Sequence, residues 1–535
     1  MRNIEIPLVR ERDRVYRLFE MLPGILSWGT LLLPIALSFF NPKLAAYFII
    51  AFLLMWFIKT IVMNIRIVQG YYALKRGMAY DWQKLLRELD GPAESFRYYD
   101  QGISPDWHRK NLINICSRDN RLYLEYLYHA VIIAISIEGQ DVVEPTIKSV
   151  IKSAYDLKRI MLFIAYEERC KPQSKEVAEA MVAKYAHKFG AMQAIEHPQD
   201  LPDEMIGKGA NITFAGHKIK QLLDKRQVDY KNVIVTTLDS DNRPHPQYFA
   251  AVSYAYMACP DPLRVSFQPP TLYTNNIWDV PAPMRVIATG NSFWNMVLAM
   301  RPHMLRNFSA HSQGMQALVD SNFWSVRTIV EDGHQFWRTY FTFSGHHEAY
   351  SIMVPVYIDA VLSSTLKKTI KSQFIQIRRW AWGASDIAYV LQKGWREKNL
   401  VPKWDLFFKT CRLIENHLSW ATAPLLLLLG AFIPLYITPH ARTSLVANQL
   451  PIIASRIQTI AMVGLLISIY FSIKLLPPKP LRYKNRHRLY MIAQWVWLPV
   501  TTIVFNSFAA LYSQTRLMFG WYLGKFDITE KAVKK

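Results

Sequence analysis

Three short clusters in this chain hold residue types that could move protons, hold a metal or grip an anion. They are Asp239-Ser240-Asp241, Glu331-Asp332 and Gln376-Ile377-Arg378-Arg379-Trp380. Asp239 and Asp241 follow the apolar run Val233 to Leu238, and on extended backbone residues two apart project to the same side. Hard carboxylate oxygens in that arrangement suit Mg²⁺ or Mn²⁺ held jointly with a diphosphate. An acidic turn that simply ends a strand is the competing reading. Glu331-Asp332 follows Val326 to Val330, and Asp332 with Gln335 three residues on fits an acidic N-cap opening a helix. On a helix Gln376, Arg379 and Trp380 share one face, offering a guanidinium and an indole to whatever lies above. Leu366, Ile370, Phe374 and Ile377 share another face that can lie on apolar surface, so an amphipathic interfacial helix with a Trp anchor is the alternative.

The elements around these clusters read as an open α/β sheet. Ala130 to Ile135 is a continuous apolar run ending in Glu138-Gly139-Gln140, as a buried parallel strand would be. A helix from Asp141 to Ser153 leads to a strand from Arg159 to Ala165 that closes on Tyr166-Glu167-Glu168. A further helix, Ser174 to Phe189, precedes a third strand, Val233 to Leu238. Ligands collect at the carboxyl ends of such strands, which is where Glu138, Glu167 and Asp239 fall. Each of the three could equally be a solvated turn residue.

Composition adds a membrane. Apolar residues make up 51% of the 535, only 19% are charged, and the apolar residues gather into blocks. Leu22–Phe40 and Leu44–Met63 form a hairpin broken at Asn41-Pro42-Lys43. Trp420–Ile437 and Ile460–Leu476 are two later spans. Met491–Leu511, interrupted by Pro499, is either a single crossing or a bent hairpin that returns its tail to the starting side; we favour the bent form. The net charge is +22, and its Lys and Arg crowd beside the apolar blocks, as in Arg10, Arg12, Arg14 and Arg17. That placement points to the inner leaflet and membrane lipids, and away from nucleic acid. Four scattered cysteines without metal-ligand spacing read as reduced thiols.

The three clusters, in this order and between paired membrane segments, resemble those of the processive, membrane-embedded family 2 glycosyltransferases, such as cellulose, chitin and hyaluronan synthases. The resemblance spans roughly residues 130–400. It implies an α/β GT-A-like domain inserted between transmembrane helices, acting on the cytosolic face of the plasma membrane. It further implies inverting transfer of a sugar from a nucleotide diphosphate sugar to a growing saccharide, assisted by Mg²⁺ or Mn²⁺. Under it, Asp332 is the general base with Glu331 beside it, and Asp241 is the firmer metal ligand with Asp239 nearer nucleotide and metal. Glu138, Glu167, Lys208, Asp239 and Arg379 would bind the donor. Gln376, Trp380, His311 and Ser312 would line the acceptor site. Lys208 enters through Gly207-Lys208-Gly209-Ala210-Asn211, which also reads as a Gly-rich turn, and Arg378 would either join the site or face solvent. Phe526-Asp527-Ile528-Thr529-Glu530-Lys531 is similar to a cellulose synthase gating loop.

The chain departs from the family pattern at Ser136-Ile137-Glu138, at Glu167-Glu168-Arg169 and at Val330, where Thr is usual. These departures leave the donor's identity open. The expected organisation is a basic lead and hairpin (1–64), an interfacial helical linker (65–129) and the transferase domain (130–365). Amphipathic interface helices (366–412), a second membrane region (413–513) and a basic tail (514–535) follow. Two other readings stand beside this one. The first is single transfer to a polyprenyl phosphate or glycolipid acceptor, and the second is a non-catalytic transporter or scaffold.

Overall fold

In the computed structural model, which describes residues 4–97, 105–119, 121–396, 401–438 and 444–524, the apolar run Tyr128–Ile135 forms β1 inside a seven-stranded sheet. Its parallel neighbours are β2 (Ile160–Glu167) and β4 (Val233–Asp239), with β3 (Ala191–His197) beyond β2. Every residue of β2 is buried, as expected for a parallel strand covered on both faces. Ala134 pairs with Asp239 and Ile135 with Tyr166, so the carboxyl ends of β1, β2 and β4 open along one edge. Beyond β4 come the antiparallel β8 (Ser312–Gly314), then β6 (Val265–Gln268) and β9 (Glu348–Ser351). A small sheet joins β5 (Arg243–Pro244), β10 (Val356–Ile358) and β7 (Thr271–Tyr273).

Val233–Asp239 is therefore the fourth strand, not the third. The sequence reading passes over β3 because that strand alternates buried and half-exposed residues at the sheet's edge. It lacks the unbroken apolar run that marks its neighbours.

One face of the sheet packs Val131, Ile133 and Leu162 against Val143, Ile147 and Phe249. Leu86 and Leu112, on helices Trp82–Asp90 and Asp106–Cys116, are wholly buried in this same core. The stretch expected as an interfacial linker thus contributes helices to the sheet domain itself. On the other face Ile132, Phe163 and Val235 meet Ile212, Ile219 and Leu223 of the helix Lys208–Arg226.

Among the described residues, five helices are long and apolar enough to cross a membrane: Arg14–Phe40, Pro42–Ala79, Lys403–Ile437, Leu445–Leu475 and His487–Phe519. The first two outrun the apolar cores read from sequence, because polar turns continue each helix past the hydrocarbon-length block. Asn41 makes the hairpin between them. Its side chain accepts from the backbone N–H groups of Lys43 and Leu44, with Pro42 opening the second helix.

His487–Phe519 is not a straight rod. A 3₁₀ turn at Gln494–Trp497 precedes Pro499, and a π-helical turn follows at Thr502–Ser507. Just ahead of it the Tyr483 hydroxyl donates to Asp279 at 2.6 Å, and at its far end Leu517 and Leu523 pack with Ile329 and Ala384. Contacts near both ends therefore reach the sheet domain. Phe526–Lys531, read as gating-loop-like, lies outside the described residues.

Candidate active site

The site forms where the helices Lys208–Arg226 and Glu331–Thr342 begin, over the carboxyl end of β4. A lysine in the first turn of a helix opposes the helix dipole and needs compensation. Lys208 receives it from three carboxylates. Its ammonium lies 2.8 Å from Asp239 Oδ1, 3.1 Å from Asp332 Oδ2 and 3.4 Å from Glu331 Oε1. Burial pushes this ammonium down, but Asp239, Asp332 and Glu331 outweigh it and hold its pKa well above the usual lysine range.

Gly207-Lys208-Gly209-Ala210-Asn211 opens this helix and is not merely a turn. A Cβ on Gly209 would sit 2.5 Å from the Ser325 carbonyl oxygen and 3.1 Å from Glu331 Cβ, so glycine permits the close approach that brings the acids to Lys208. Asn211 Nδ2 donates to the Ala165 carbonyl at 3.0 Å and ties the helix to β2.

Glu331 and Asp332 are the first two residues of their helix, and Val330 is the N-cap. Asp332 is thus two positions past the N-cap, and Gln335 is buried, donating to Gln313 at 3.3 Å and not back to the helix start. Carboxylates in a first helical turn are favoured by its dipole. Burial, followed by the charge of Asp332, raises Glu331 to about 7, against the opposing pull of Lys208. Of the pair, Glu331 is therefore the one driven to hold a proton.

Asp239 Oδ2 accepts from Ser309 Oγ at 2.7 Å, and Asn242 Nδ2 donates to that same Ser309 oxygen at 2.9 Å. Asp241 is buried, its Oδ2 accepting from the Asp359 backbone N–H at 3.2 Å. His311 sits behind Asp332, with Nδ1 3.6 Å from Oδ1. The Trp324 indole donates to its Nε2 at 3.2 Å, so Nδ1 carries the hydrogen and donates to the Phe308 carbonyl at 2.9 Å. Burial lowers its pKa, partly offset by Asp332. The turn before it places Ala310 at φ 67°, in the left-handed region, and so directs Ser309 at Asp239 and His311 at Asp332.

Tyr273, at the end of β7, links this acid cluster to the third motif. Its phenol is raised by burial and then by Asp241 and Asp239, while Arg379 acts in the opposite sense. The Trp380 indole stands edge-on to the Tyr273 ring at 6.2 Å. Gln376, Arg379 and Trp380 lie on the helix Leu366–Ala381, and each is half-buried. Ile377 of the apolar face is fully buried, but Leu366 and Ile370 are exposed. Gln376 Oε1 accepts from Gln373 at 3.2 Å. The Arg378 guanidinium lies over the Tyr512 ring at 5.7 Å.

The structure thus brings Lys208, Asp239, Glu331 and Asp332 together, with His311 behind Asp332, Asp241 two residues beyond Asp239, and Trp380 against Tyr273. Glu138 adjoins it, its Oε1 accepting from Ser240 Oγ at 3.0 Å. Glu167 ends β2 as expected, with its carboxylate engaged by Arg169. Ser312 is not brought to the cluster. It is fully buried in β8, its hydroxyl bonded to Thr236 at 2.7 Å and Tyr248 at 2.9 Å. Tyr273 and Ser309 are the residues that sequence reading misses. Neither sits in a spaced motif, and only the pairing of β10 with β7 and the turn at Ala310 carry them in.

Among the described residues, no group of three or more His, Cys, Asp or Glu side chains is arranged to hold a metal. Two acid residues suffice for a Mg²⁺-like ion that completes its shell with water and substrate phosphate. The oxygens of Asp239 and Asp241 are of the right hardness, and the donor set fits such an ion.

No protein-family model matches the chain, and no curated protein matches it in sequence. Among solved structures it is similar to the mannosyltransferase PcManGT from Pyrobaculum calidifontis, in complex with GDP-Man and Mn²⁺. That match has 12% identity and a TM-score of 0.40, covering 77% of this chain and 99% of that one. It is similar to S. aureus TarS 1-349 in complex with UDP-GlcNAc at 11% identity and a TM-score of 0.35, covering 74% and 92%. A third likeness is to GalNAc-T7 with UDP, GalNAc and Mn²⁺, at 12% identity and a TM-score of 0.33, covering 56% and 61%. At such scores and identities these likenesses carry no argument about this chain.

Proposed function

We propose that this chain transfers a sugar, with inversion, from a nucleotide diphosphate sugar to a saccharide acceptor at a membrane surface. The observation that carries this reading is the convergence of Asp239, Glu331 and Asp332 on Lys208, beside the sheet ends at which a donor would bind.

In this reading Asp332 takes the proton of the acceptor hydroxyl as its oxygen attacks the anomeric carbon. The carbon–oxygen bond to the diphosphate breaks as the new glycosidic bond forms on the opposite face, and the nucleotide diphosphate leaves with the bonding pair. Glu331, raised to about 7 by burial, is driven to hold a proton near neutral pH, and the base role in this reading falls to Asp332. Both His311 ring nitrogens are engaged by Phe308 and Trp324, so it lies behind Asp332 without competing for the proton. Arg379 meets the leaving diphosphate with a planar fork, and Lys208 adds a fixed positive charge. Trp380 offers a flat apolar face to an acceptor ring, with Gln376 beside it. Glu138 and Glu167, at the ends of β1 and β2, face the donor's nucleoside end. Asp239 and Asp241 would hold a Mg²⁺ or Mn²⁺ ion, which when bound neutralises charge on the diphosphate.

Five helices long and apolar enough to cross a membrane support a membrane location, and the Lys and Arg beside the apolar blocks support our reading of a cytosolic sheet domain at the plasma membrane. The test is transfer of radiolabel from a panel of UDP- and GDP-sugars by the purified full chain in lipid nanodiscs. Wild type should transfer label from one donor. Asp332→Asn should bind that donor and transfer nothing. Label that extracts with lipid assigns the single-transfer alternative, and a protein that neither binds nor transfers any donor leaves only the scaffold reading.

A further inference from the structure

A second cavity lies outside the acid cluster, between the sheet domain and the start of His487–Phe519. It is a cleft of about 610 Å³ with Trp278, Arg285, Tyr483, His487, Tyr490 and Trp497 among its walls. Sites of that size hold molecules of several hundred daltons. Its charge is unbalanced. The one carboxylate on the lining, Asp279, is already paired with Arg482 at 2.6 Å and accepts from the Tyr483 hydroxyl at 2.6 Å. Among the described residues, the hydrogen-bond partners of Arg285 are neutral, the Gln494 side-chain oxygen at 2.5 Å and the Val280 carbonyl at 2.7 Å. Burial lowers its pKa, with Tyr483 acting the other way, so its charge is incompletely compensated. His487 Nδ1 is buried and makes no hydrogen bond among the described residues. The Arg285 guanidinium, with His487 also on the lining, thus stands at a roomy cavity that holds no unpaired acid, and that chemistry selects an anion.

The mouth of the cleft has the opposite character. Val496 is 77% exposed, and Tyr490 and Trp497 are exposed beside it. Val496 also belongs to a stripe of exposed apolar residues at every fourth position, Ile492, Val496, Val500, Val504 and Phe508. Spaced at i, i+4, they cover one side of an apolar helical run, the side that meets lipid in a chain with this many apolar helices. A cavity charged at its floor and continuous with a lipid-facing stripe at its mouth fits an amphiphile better than a free ion.

We propose that this cleft binds a phosphate-headed lipid, with the phosphate on Arg285 and His487 and the chain along Val496 and Trp497. Such a lipid could come from the bilayer, as an anionic phospholipid, or be a lipid-linked substrate. The site adjoins the acid cluster without sharing residues with it. Trp278 packs in the apolar cluster that also contacts Tyr273 and Trp380.

The experiment is native mass spectrometry of the full chain in detergent, titrated with phosphatidic acid, phosphatidylcholine, a polyprenyl monophosphate and inorganic phosphate. Wild type should hold phosphatidic acid about tenfold more tightly than phosphatidylcholine, as one charge-assisted contact implies. Arg285→Gln should erase that preference. Val496→Ser, at an exposed position that leaves the fold intact, should weaken phosphatidic acid binding without changing the preference. A polyprenyl monophosphate that displaces phosphatidic acid at lower concentration assigns the lipid-linked source, and one that fails to do so assigns the bilayer phospholipid. Equal binding of phosphatidylcholine, an undiminished preference in Arg285→Gln, or displacement by inorganic phosphate as readily as by lipid overturns the proposal. None of these readouts depends on sugar transfer.

Discussion

Replacing Glu331 with Gln should change how stability depends on pH, with a sign and size set by the site. The Glu331 carboxyl is raised from its ordinary 4.5 to about 7, first by burial and then by the Asp332 charge. Between those values the folded protein holds a proton that the unfolded chain has released. Stability therefore falls as pH rises through this window and levels off above it. At about 1.4 kcal/mol per pH unit, the displacement amounts to on the order of 3 kcal/mol. Glu331 is only 3% exposed, so solvent screening does little to reduce this. Gln keeps the shape and cannot ionise, so Glu331→Gln should lose this part of the gradient and gain on wild type as pH rises from 5 to 8. Thermal unfolding of both proteins in nanodiscs at several pH values, followed by tryptophan fluorescence, measures the difference. Asp332→Asn should move the wild-type inflection to lower pH, because it removes a neighbouring negative charge. Identical pH slopes in wild type and Glu331→Gln would refute the account of this pair.

Other outcomes follow from the same contacts. Lys208→Met leaves Asp239, Glu331 and Asp332 without their shared cation and should destabilise the protein by about 3–5 kcal/mol at pH 8, less at pH 5, by denaturant unfolding. Trp380→Ala should raise KM for the acceptor about tenfold while leaving donor affinity nearly unchanged, because it removes one stacking face. Arg379→Lys keeps the charge but loses the planar fork, and should weaken nucleotide diphosphate binding about tenfold by calorimetry.

The parallel half of the sheet was legible because its central strands are buried on both faces and read as unbroken apolar runs. Glu167 and Asp239 close such strands in the structure, and Glu138 lies three residues past the end of β1. β3 was not legible, since an edge strand with half-exposed positions lacks that pattern. The strands β6, β8 and β9 are three or four residues long, too short for period-2 patterning to register, and their pairing is non-local. Within the site, Lys208, Asp239 and Asp332 could be proposed from motif order. That one ammonium contacts all three acids depends on Gly209, whose missing Cβ admits the second helix. Ser312 shows the converse, because its neighbourhood looked like a site while its hydroxyl is turned into the sheet.

The central claim is that Asp239, Asp241, Lys208 and Arg379 surround a single diphosphate. Its most direct test is the position of UDP or GDP, bound with Mn²⁺, in an experimentally determined map of this protein. The diphosphate should lie between Lys208 and Arg379, with the ion against Asp239 and Asp241 and the acceptor side open toward Asp332 and Trp380. A nucleotide seated elsewhere, with Arg379 and Asp241 on opposite sides of a wall and neither touching it, would contradict the claim.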